Sequence, residues 1–191
     1  MDATGTALCT GHGGDGLNTA ATRPFDRDTA LRIARAFLPK HPLGNRWDYY
    51  YTLAKLRSDP LYPGVLQALR GSDAPVLDLG CGLGLLAHAL RADGQHMAYR
   101  GVDNDAAKIT RANKVAEKNA LVDTRFDVVD LAGGPPAHQG SVAILDVLQY
   151  LDAQGQRRLI AQVSAMLTPG ARLVIRTALG DDSRRGKTSQ V

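Results

Sequence analysis

Between Pro75 and Thr177, short apolar runs alternate with longer stretches in which apolar residues recur every three to four positions. The short runs have the length and continuous apolarity of buried strands, and the longer stretches have the period of helices packed by one face. This alternation is typical of a parallel sheet built from β-α-β units. The predicted strands are 76–79, 99–103, 125–130, 142–146 and 172–176, and the predicted helices are 85–92, 106–119 and 153–167.

The chain before Pro75 has helical spacing and no strand-like run. Asp26 precedes an apolar-periodic stretch and is predicted to be its N-cap, with Pro39 ending the helix. A second helix carries Trp47 and three consecutive tyrosines, Tyr49, Tyr50 and Tyr51. The three helices predicted in this part of the chain cover 28–38, 47–57 and 63–69.

Composition divides the chain into four parts. Both ends are polar and hold few large apolar residues, which predicts a disordered leader at 1–24 and a polar tail at 180–191. Between them we expect an N-terminal helical lid at 25–72 and a strand-containing core at 73–179. The connection 131–141 is rich in glycine and proline and is predicted to be a loop.

The chain has 191 residues, enough for one α/β domain. Its formal net charge of +4 is too small and too scattered to indicate nucleic acid by itself. No apolar run is long enough to span a membrane, and no secretory signal is evident, so we expect a cytoplasmic protein without a membrane partner. The two cysteines, Cys9 and Cys81, predict neither a disulfide nor a metal site.

A glycine-rich turn follows the first predicted strand. Gly80, Gly82 and Gly84 occupy alternate positions, and Asp78 stands two residues before the first of them. Glycines allow a tight turn and let a ligand approach the main chain closely. Nucleotide-binding folds for nicotinamide and flavin cofactors prefer the different spacing G-x-G-x-x-G, although such turns also serve simple packing.

An acidic residue, Asp103, ends the second predicted strand 23 positions after Gly80. A carboxylate accepts hydrogen bonds and does not donate them at neutral pH, so it is matched to the two hydroxyls of a ribose. The other interpretation is that Asp103 caps the next helix. Asp105 is the better candidate for that cap because it stands immediately before Ala106.

With these motifs in order, the stretch from Pro75 to Thr177 resembles the core of a class I S-adenosylmethionine-dependent methyltransferase. The resemblance implies a Rossmann-like parallel sheet with strand order 3-2-1-4-5, flanking helices and S-adenosylmethionine as cofactor. Asp130 resembles the acidic residue that contacts the adenine amino group, and Asp78 is suited to the ammonium group. The residues expected to bind the cofactor are Asp78, Gly80, Cys81, Gly82, Gly84, Asp103, Asn104, Asp130, Leu131, Asp146 and Val147.

The resemblance identifies no catalytic base with certainty. Methyl transfer from a sulfonium needs alignment of the reactants and sometimes removal of a proton. The leading candidates are therefore polar residues expected around the acceptor, namely Tyr50, Gln149 and Tyr150. Further candidates for substrate contact are His41, Tyr49, Tyr51 and Arg176.

The acceptor is expected to be a small organic molecule, because the motifs of nucleic-acid base methylation are missing after strand four. A faint similarity to the methyltransferases of bacterial aryl-polyene pigment pathways points the same way. An RNA or protein methyltransferase and a non-catalytic cofactor-binding module remain alternatives, and a nicotinamide dehydrogenase is a more distant one.

Members of the family normally continue past strand five with a helix and two more strands. The segment after Thr177 is too short and polar for those elements, so strands six and seven are expected to be absent. Strand five would then be a sheet edge, and an uncovered edge invites pairing with another chain. Either the sequence is a fragment or a partner, such as a second copy in a homodimer, completes the sheet.

Overall fold

Five strands form one parallel sheet in the computed structural model, which describes residues 23–41 and 43–177. They are β1 (Val76–Leu79), β2 (Tyr99–Asp103), β3 (Thr124–Val128), β4 (Ser141–Leu145) and β5 (Leu173–Arg176). Their order is β3-β2-β1-β4-β5, which confirms the predicted topology. In the register, Leu79 lies opposite both Val102 and Ile144, so β1 is the central strand.

The helices also follow the predicted pattern, with small shifts at their ends. Helix α3 begins two residues before the predicted start, and its Pro63 sits in the first turn, where no helical hydrogen bond needs its missing N–H. The six α-helices of the described residues are α1 (Arg27–Ala34), α2 (Trp47–Ser58), α3 (Leu61–Leu69), α4 (Leu85–Ala92), α5 (Ala106–Lys118) and α6 (Ala153–Ser164), with short 3-10 turns at Arg35–Phe37, Leu131–Gly133 and Leu148–Tyr150.

Two predicted N-caps are present. The Asp26 carboxylate accepts hydrogen bonds from the main-chain N–H groups of Asp28 and Thr29 at the start of α1. Asp105 accepts from Ala107 and Lys108 at the start of α5, which leaves Asp103 available for another role. Each cap satisfies N–H groups that have no partner inside the helix.

Apolar clusters cover both faces of the sheet. One cluster joins α1 to α5 to one face, and it includes the fully buried Leu56, Leu69 and Leu90. The other joins α6 to the opposite face through Leu159 and Val163. The inner strands β1 and β4 are therefore buried on both sides, which explains why their sequences are mainly apolar.

The segment at 25–72 shares the first of these clusters with the strands that follow it. Phe37 packs against the ring of His88 on α4, and Leu61 and Val65 are buried in the same cluster. The segment therefore packs against the α/β core as part of one apolar cluster. Of the predicted leader, only residues 23 and 24 are described. The predicted tail at 180–191 lies outside the described residues, and the absence of strands six and seven stays a prediction.

The connection from β3 to β4 is a loop, as predicted, apart from the single 3-10 turn at Leu131–Gly133. β5 pairs with β4 at one edge of the described sheet, and its pairing with a second copy stays a prediction. Within the described ranges, no helix is long and apolar enough to cross a membrane.

Candidate functional site

A cleft of about 820 Å³ opens at the carboxyl ends of the strands. Ligands of open α/β sheets bind at this edge, next to the strand where the order reverses. Helix α2 and the segment after β4 form the outer walls of the cleft. Ten of the eleven residues predicted to bind the cofactor line it: Asp78, Gly80, Cys81, Gly82, Asp103, Asn104, Asp130, Leu131, Asp146 and Val147.

The glycine turn brings the main chain to the cleft. Gly82 has φ +56°, and a Cβ at this position would meet nothing within 4 Å, so its main chain faces open space. Gly80 has φ +77°, and a Cβ here would lie 2.3 Å from Cγ2 of Val147. The turn after β1 and the segment after β4 therefore touch at Gly80, where only glycine avoids both strain and collision.

Gly84 is the predicted cofactor-binding residue that the structure keeps away from the cleft. It is buried, and a Cβ there would lie 2.5 Å from the ring of Phe126. Its position is explained by close packing between the start of α4 and the sheet. The pattern of alternating glycines could not distinguish this packing role from contact with a ligand.

Asp103 lies at the end of β2 and is held by the main chain on both sides. Its Oδ2 accepts from the N–H of Gly82 at 2.9 Å, and its Oδ1 accepts from the N–H of Asp105 at 2.9 Å. A carboxylate has about four lone-pair positions, so each oxygen can still accept another hydrogen bond. The side chain is therefore fixed in orientation while remaining able to bind two hydroxyls.

Asp78 is a buried carboxyl group at the inner end of the cleft, with 2 % of its surface exposed. The hydroxyl of Tyr99 donates to its Oδ2, whereas its Oδ1 has no hydrogen-bond partner among the described residues. Burial raises the pKa of Asp78 to about 7, and the nearby Asp103 acts in the same direction. A cationic group entering the cleft would satisfy Oδ1 and stabilise its charge.

The outer part of the floor is formed by Asp130 and Leu131, which follow β3. The Asp130 carboxylate accepts from the N–H of Ala132 at 2.9 Å and so holds the 3-10 turn in place. This turn presents the half-buried side chain of Leu131 to the cleft. An apolar surface beside a fixed carboxylate can hold the flat face and the amino edge of an adenine.

Asp146 follows β4 in a left-handed backbone conformation, with φ +58°. Its carboxylate lies 3.3 Å from Nε of Arg176 and 3.9 Å from Nζ of Lys55. Arg176 Nη1 also donates to both carboxylate oxygens of Asp59 at 2.7 Å, and Lys55 lies 3.1 Å from Asp59. We call these four residues the rim network, and they join α2 to the ends of β4 and β5.

The rim network was not predicted from the sequence. Arg176 was a candidate for substrate contact, but in the structure it is engaged with Asp59 and Asp146 and does not line the cleft. Asp59 and Arg176 stand 117 positions apart, and no local pattern relates them. The partial burial of this pair is what favours a lasting interaction.

Helix α2 turns one face toward the cleft. Trp47, Tyr51 and Lys55 are spaced four residues apart, so they lie on the same side of the helix, and all three line the cleft. Their spacing could have identified this face in the sequence. We call these three residues the α2 stripe.

Of the remaining candidates for substrate contact, one lines the cleft and four do not. Tyr150, which follows β4, lines the cleft and is 75 % exposed. Tyr50 is exposed but points elsewhere, because it neighbours Tyr51 on the helix and stacks edge-on against Tyr49. The structure does not bring Tyr49, Tyr50, Gln149 or His41 to the cleft lining.

Cys81 lies within the cleft but has no features of a nucleophile. Burial raises the pKa of its thiol far above the ordinary value, and the charges of Asp78 and Asp103 add to that effect. The thiol therefore stays neutral. In the described part of the chain, no group of three or more His, Cys, Asp or Glu side chains is arranged to hold a metal ion.

The arrangement of this cleft can be compared with known proteins. A family model described as a methyltransferase domain matches residues 76–170, which contain the glycine turn and every acidic strand end described above. The chain belongs to the class I S-adenosylmethionine-dependent methyltransferases. Membership of this methyltransferase family explains why the acidic residues occur at the ends of successive strands.

Two curated relatives of the methyltransferase chain are ubiquinone biosynthesis O-methyltransferases. The protein from Xylella fastidiosa (strain 9a5c) is 31 % identical over 107 residues, which make up 56 % of this chain and 42 % of the relative. The protein from Xanthomonas campestris pv. campestris (strain B100) is 29 % identical over 163 residues, which make up 81 % of this chain and 65 % of the relative. The chain thus spans less than two thirds of the length of either relative.

A solved structure shares the fold. Coclaurine N-methyltransferase, bound to N-methylheliamine and SAH, superimposes with a TM-score of 0.51 at 14 % identity. The superposition covers 75 % of this chain and 43 % of that protein. At this level of identity the likeness shows the methyltransferase fold, and the site must be argued from the residues of this chain.

Proposed function

We propose that this protein transfers a methyl group from S-adenosylmethionine to a small organic acceptor. The observation that carries the proposal is the alignment of four acidic strand ends along one cleft. Asp78 and Asp103 lie at the carboxyl-terminal ends of β1 and β2, and Asp130 and Asp146 follow β3 and β4, so the four carboxylates are arranged beside the glycine turn in the order of their strands. This arrangement offers a separate acceptor for each polar part of one extended cofactor.

The residues present fit this cofactor. The unpartnered Oδ1 of Asp78 is suited to the ammonium group, and Asp103 is suited to the ribose hydroxyls. Asp130 and Leu131 would hold the adenine, and the open main chain at Gly82 leaves room for close approach. When bound, S-adenosylmethionine supplies an electrophilic methyl group on a sulfonium. The SAH in the related coclaurine N-methyltransferase supports the same class of ligand here.

The contribution of the protein is mainly to position and shield the reactants. Alignment of a nucleophile with a methyl group converts an encounter in solution into an effectively intramolecular step. The half-buried Asp146 and Val147 lie between the cofactor floor and the wall formed by α2, where the two reactants would meet. The rim network holds the Asp146 carboxylate beside Arg176 and Lys55.

The chemistry of the cleft favours a small acceptor over RNA. The cations that line it are each within 4 Å of a carboxylate: Lys55 is near Asp59, Lys108 near Asp105, and Arg111 near Asp48. Phosphate binding depends on basic groups that are free to pair with it. The names of the two curated relatives favour oxygen as the atom that receives the methyl group.

Calorimetric titration of S-adenosylhomocysteine tests the cofactor site. We expect micromolar binding to the wild type and at least tenfold weaker binding (~1.4 kcal/mol) to Asp103→Asn, which replaces one carboxylate oxygen with a donor group. Asp105→Asn is the matched control, because asparagine is an equally good N-cap and the residue belongs to the same turn. Its affinity should remain within about twofold of the wild type.

The possible outcomes distinguish the loss of a cofactor contact from a general disturbance of the structure. If folded wild type does not bind S-adenosylhomocysteine, the proposed function is wrong. If both variants lose affinity equally, the turn matters for structure and the ribose contact of Asp103 is wrong. Turnover assays with pooled phenols, amines and carboxylic acids then identify the acceptor class.

A further inference from the structure

The α2 stripe lies across the cleft between two ion-paired ends of its helix. At the beginning of α2, Asp48 accepts from Arg111 of α5 at 2.9 Å. Beyond its end, Asp59 accepts from Arg176 of β5 at 2.7 Å. Between these ties the helix spans the ends of the strands, so its cleft-facing side chains form a fixed wall above the cofactor floor.

The aromatic rings of this wall and of the segment after β4 are open to solvent. Trp47 is 67 % exposed and Tyr51 44 % exposed, and Tyr150 after β4 is 75 % exposed. None of these rings is needed for the apolar core, since none belongs to either buried cluster. Exposed aromatic side chains that converge on one concave site are typical of ligand-binding surfaces.

The basic groups around these rings are already paired with carboxylates. Lys55 and Arg176 pair with Asp59 and Asp146, and Arg111 pairs with Asp48. An anionic acceptor would have to break one of these pairs or remain without a partner. An uncharged acceptor meets no such cost, and aromatic walls favour a flat molecule because offset and edge-to-face contacts between rings are attractive.

We infer that the acceptor is a planar aromatic compound in its uncharged form, held between the α2 stripe and Tyr150. The inference rests on the proposed function, because the acceptor must sit above a bound cofactor. Trp47, Tyr51 and Tyr150 are specificity-determining residues on this account. They select the shape and charge of the acceptor and take no part in the chemical step.

Three probes of similar size test shape and charge separately. These are 2-naphthol, which is planar and uncharged near neutral pH, its saturated counterpart decahydro-2-naphthol, and the anion 2-naphthoate. Each is titrated by calorimetry into the wild-type protein saturated with S-adenosylhomocysteine. We expect 2-naphthol to bind about tenfold more tightly than either of the other two.

Variants locate the binding. Trp47→Ala and Tyr150→Ala should each weaken 2-naphthol binding at least fivefold and leave the affinity for S-adenosylhomocysteine within about threefold. Tyr50→Ala is the matched control, because Tyr50 is similarly exposed on the same helix but lies away from the cleft. Its effect on either ligand should stay within about twofold.

The result that overturns the inference is distinct from the one that overturns the proposed function. If S-adenosylhomocysteine binds but decahydro-2-naphthol or 2-naphthoate binds as tightly as 2-naphthol, the acceptor class is wrong and the cofactor site stands. If Trp47→Ala and Tyr150→Ala weaken both ligands equally, the rings belong to the cofactor site. If S-adenosylhomocysteine does not bind to the wild type, the proposed function itself fails.

Discussion

The floor and the outer wall of the cleft are built in different ways. The floor consists of strand ends and the glycine turn, where main-chain N–H groups fix two of the carboxylates, Asp103 through Gly82 and Asp105, and Asp130 through Ala132. The wall is a single helix that presents the long side chains of the α2 stripe and is tied down by ion pairs. A floor of this kind suits a constant ligand, whereas a wall of side chains can change its specificity by substitution without disturbing the sheet.

The largest effect is expected at Asp78, the buried carboxyl group of the floor. Its pKa in the folded protein is about 7, raised by burial from an ordinary value of 3.8. Between pH ~4 and ~7 the folded protein therefore holds a proton that the unfolded chain has released. The contribution of Asp78 to the free energy of unfolding should therefore fall by on the order of 4 kcal/mol as the pH rises through this window and should level off above it.

His88 requires a control in that experiment. Burial lowers the pKa of His88 to about 4, so its contribution runs in the opposite direction: stability is lost as the pH falls below the ordinary pKa of histidine. The informative quantity is the difference between wild type and Asp78→Asn in urea denaturation at several pH values. Because His88 contributes equally to both proteins, the stability of the wild type relative to the variant should fall as the pH rises through this window; parallel curves would contradict the assignment.

The second prediction tests the close contact between the glycine turn and Val147. In Gly80→Ala, left-handed backbone strain and a collision with Val147 coincide, so we expect at least hundredfold weaker S-adenosylhomocysteine binding (~2.7 kcal/mol). Gly94→Ala is matched, because Gly94 has φ +79° but no atom within 4 Å of a built Cβ. It should lose only about 1–2 kcal/mol of stability and bind normally. Equal losses of S-adenosylhomocysteine affinity in both variants would mean that the contact between Gly80 and Val147 does not shape the binding site.

The third prediction compares two arginine–aspartate pairs. Arg176 is 25 % exposed and Asp59 12 %, whereas Arg70, paired with Asp93, is 62 % exposed. Arg176→Gln should lower the free energy of unfolding by about 2 kcal/mol, because a partly buried carboxylate loses its charged donor. Arg70→Gln should cost less than about 1 kcal/mol. Chemical denaturation measures the stability of both variants. Similar losses of unfolding free energy would contradict the interpretation that the rim network fixes α2 to the ends of β4 and β5.

The smallest effect is expected at Cys81. If the floor binds through its main chain and its carboxylates, Cys81→Ala should change the affinity for S-adenosylhomocysteine by less than about threefold. Peptide mapping after treatment with iodoacetamide near pH 8 should also find Cys81 unmodified, because burial keeps the thiol neutral. Rapid alkylation at this residue would show that the turn opens or that the thiol is activated.

Sequence alone predicted the floor far better than the wall. The strands β1 and β2, the helix α4 and the sheet order are as predicted, because each depends on local periodicity and on the connection rules of parallel sheets. Gly84 shows the limit of a local motif, since its packing against Phe126 depends on a strand more than 40 residues away.

The wall depends on contacts between distant segments. The sequence placed three tyrosines on α2, but which of them faces the cleft follows from how the helix is docked by Asp48 and Asp59. The period of a helix shows which residues share a face, but it does not show which way that face points in the folded protein. For that reason Tyr50 was a candidate and Trp47 was missed, although both lie on the same helix.

The central claim is that S-adenosylmethionine binds at the carboxyl ends of β1 to β4. A crystal structure of the protein with S-adenosylhomocysteine tests it most directly. The account predicts the ribose hydroxyls within hydrogen-bonding distance of the Asp103 carboxylate and the amino group next to Oδ1 of Asp78. A ligand bound elsewhere, or one bound in the cleft with its ribose away from Asp103 and its amino group away from Asp78, would contradict it.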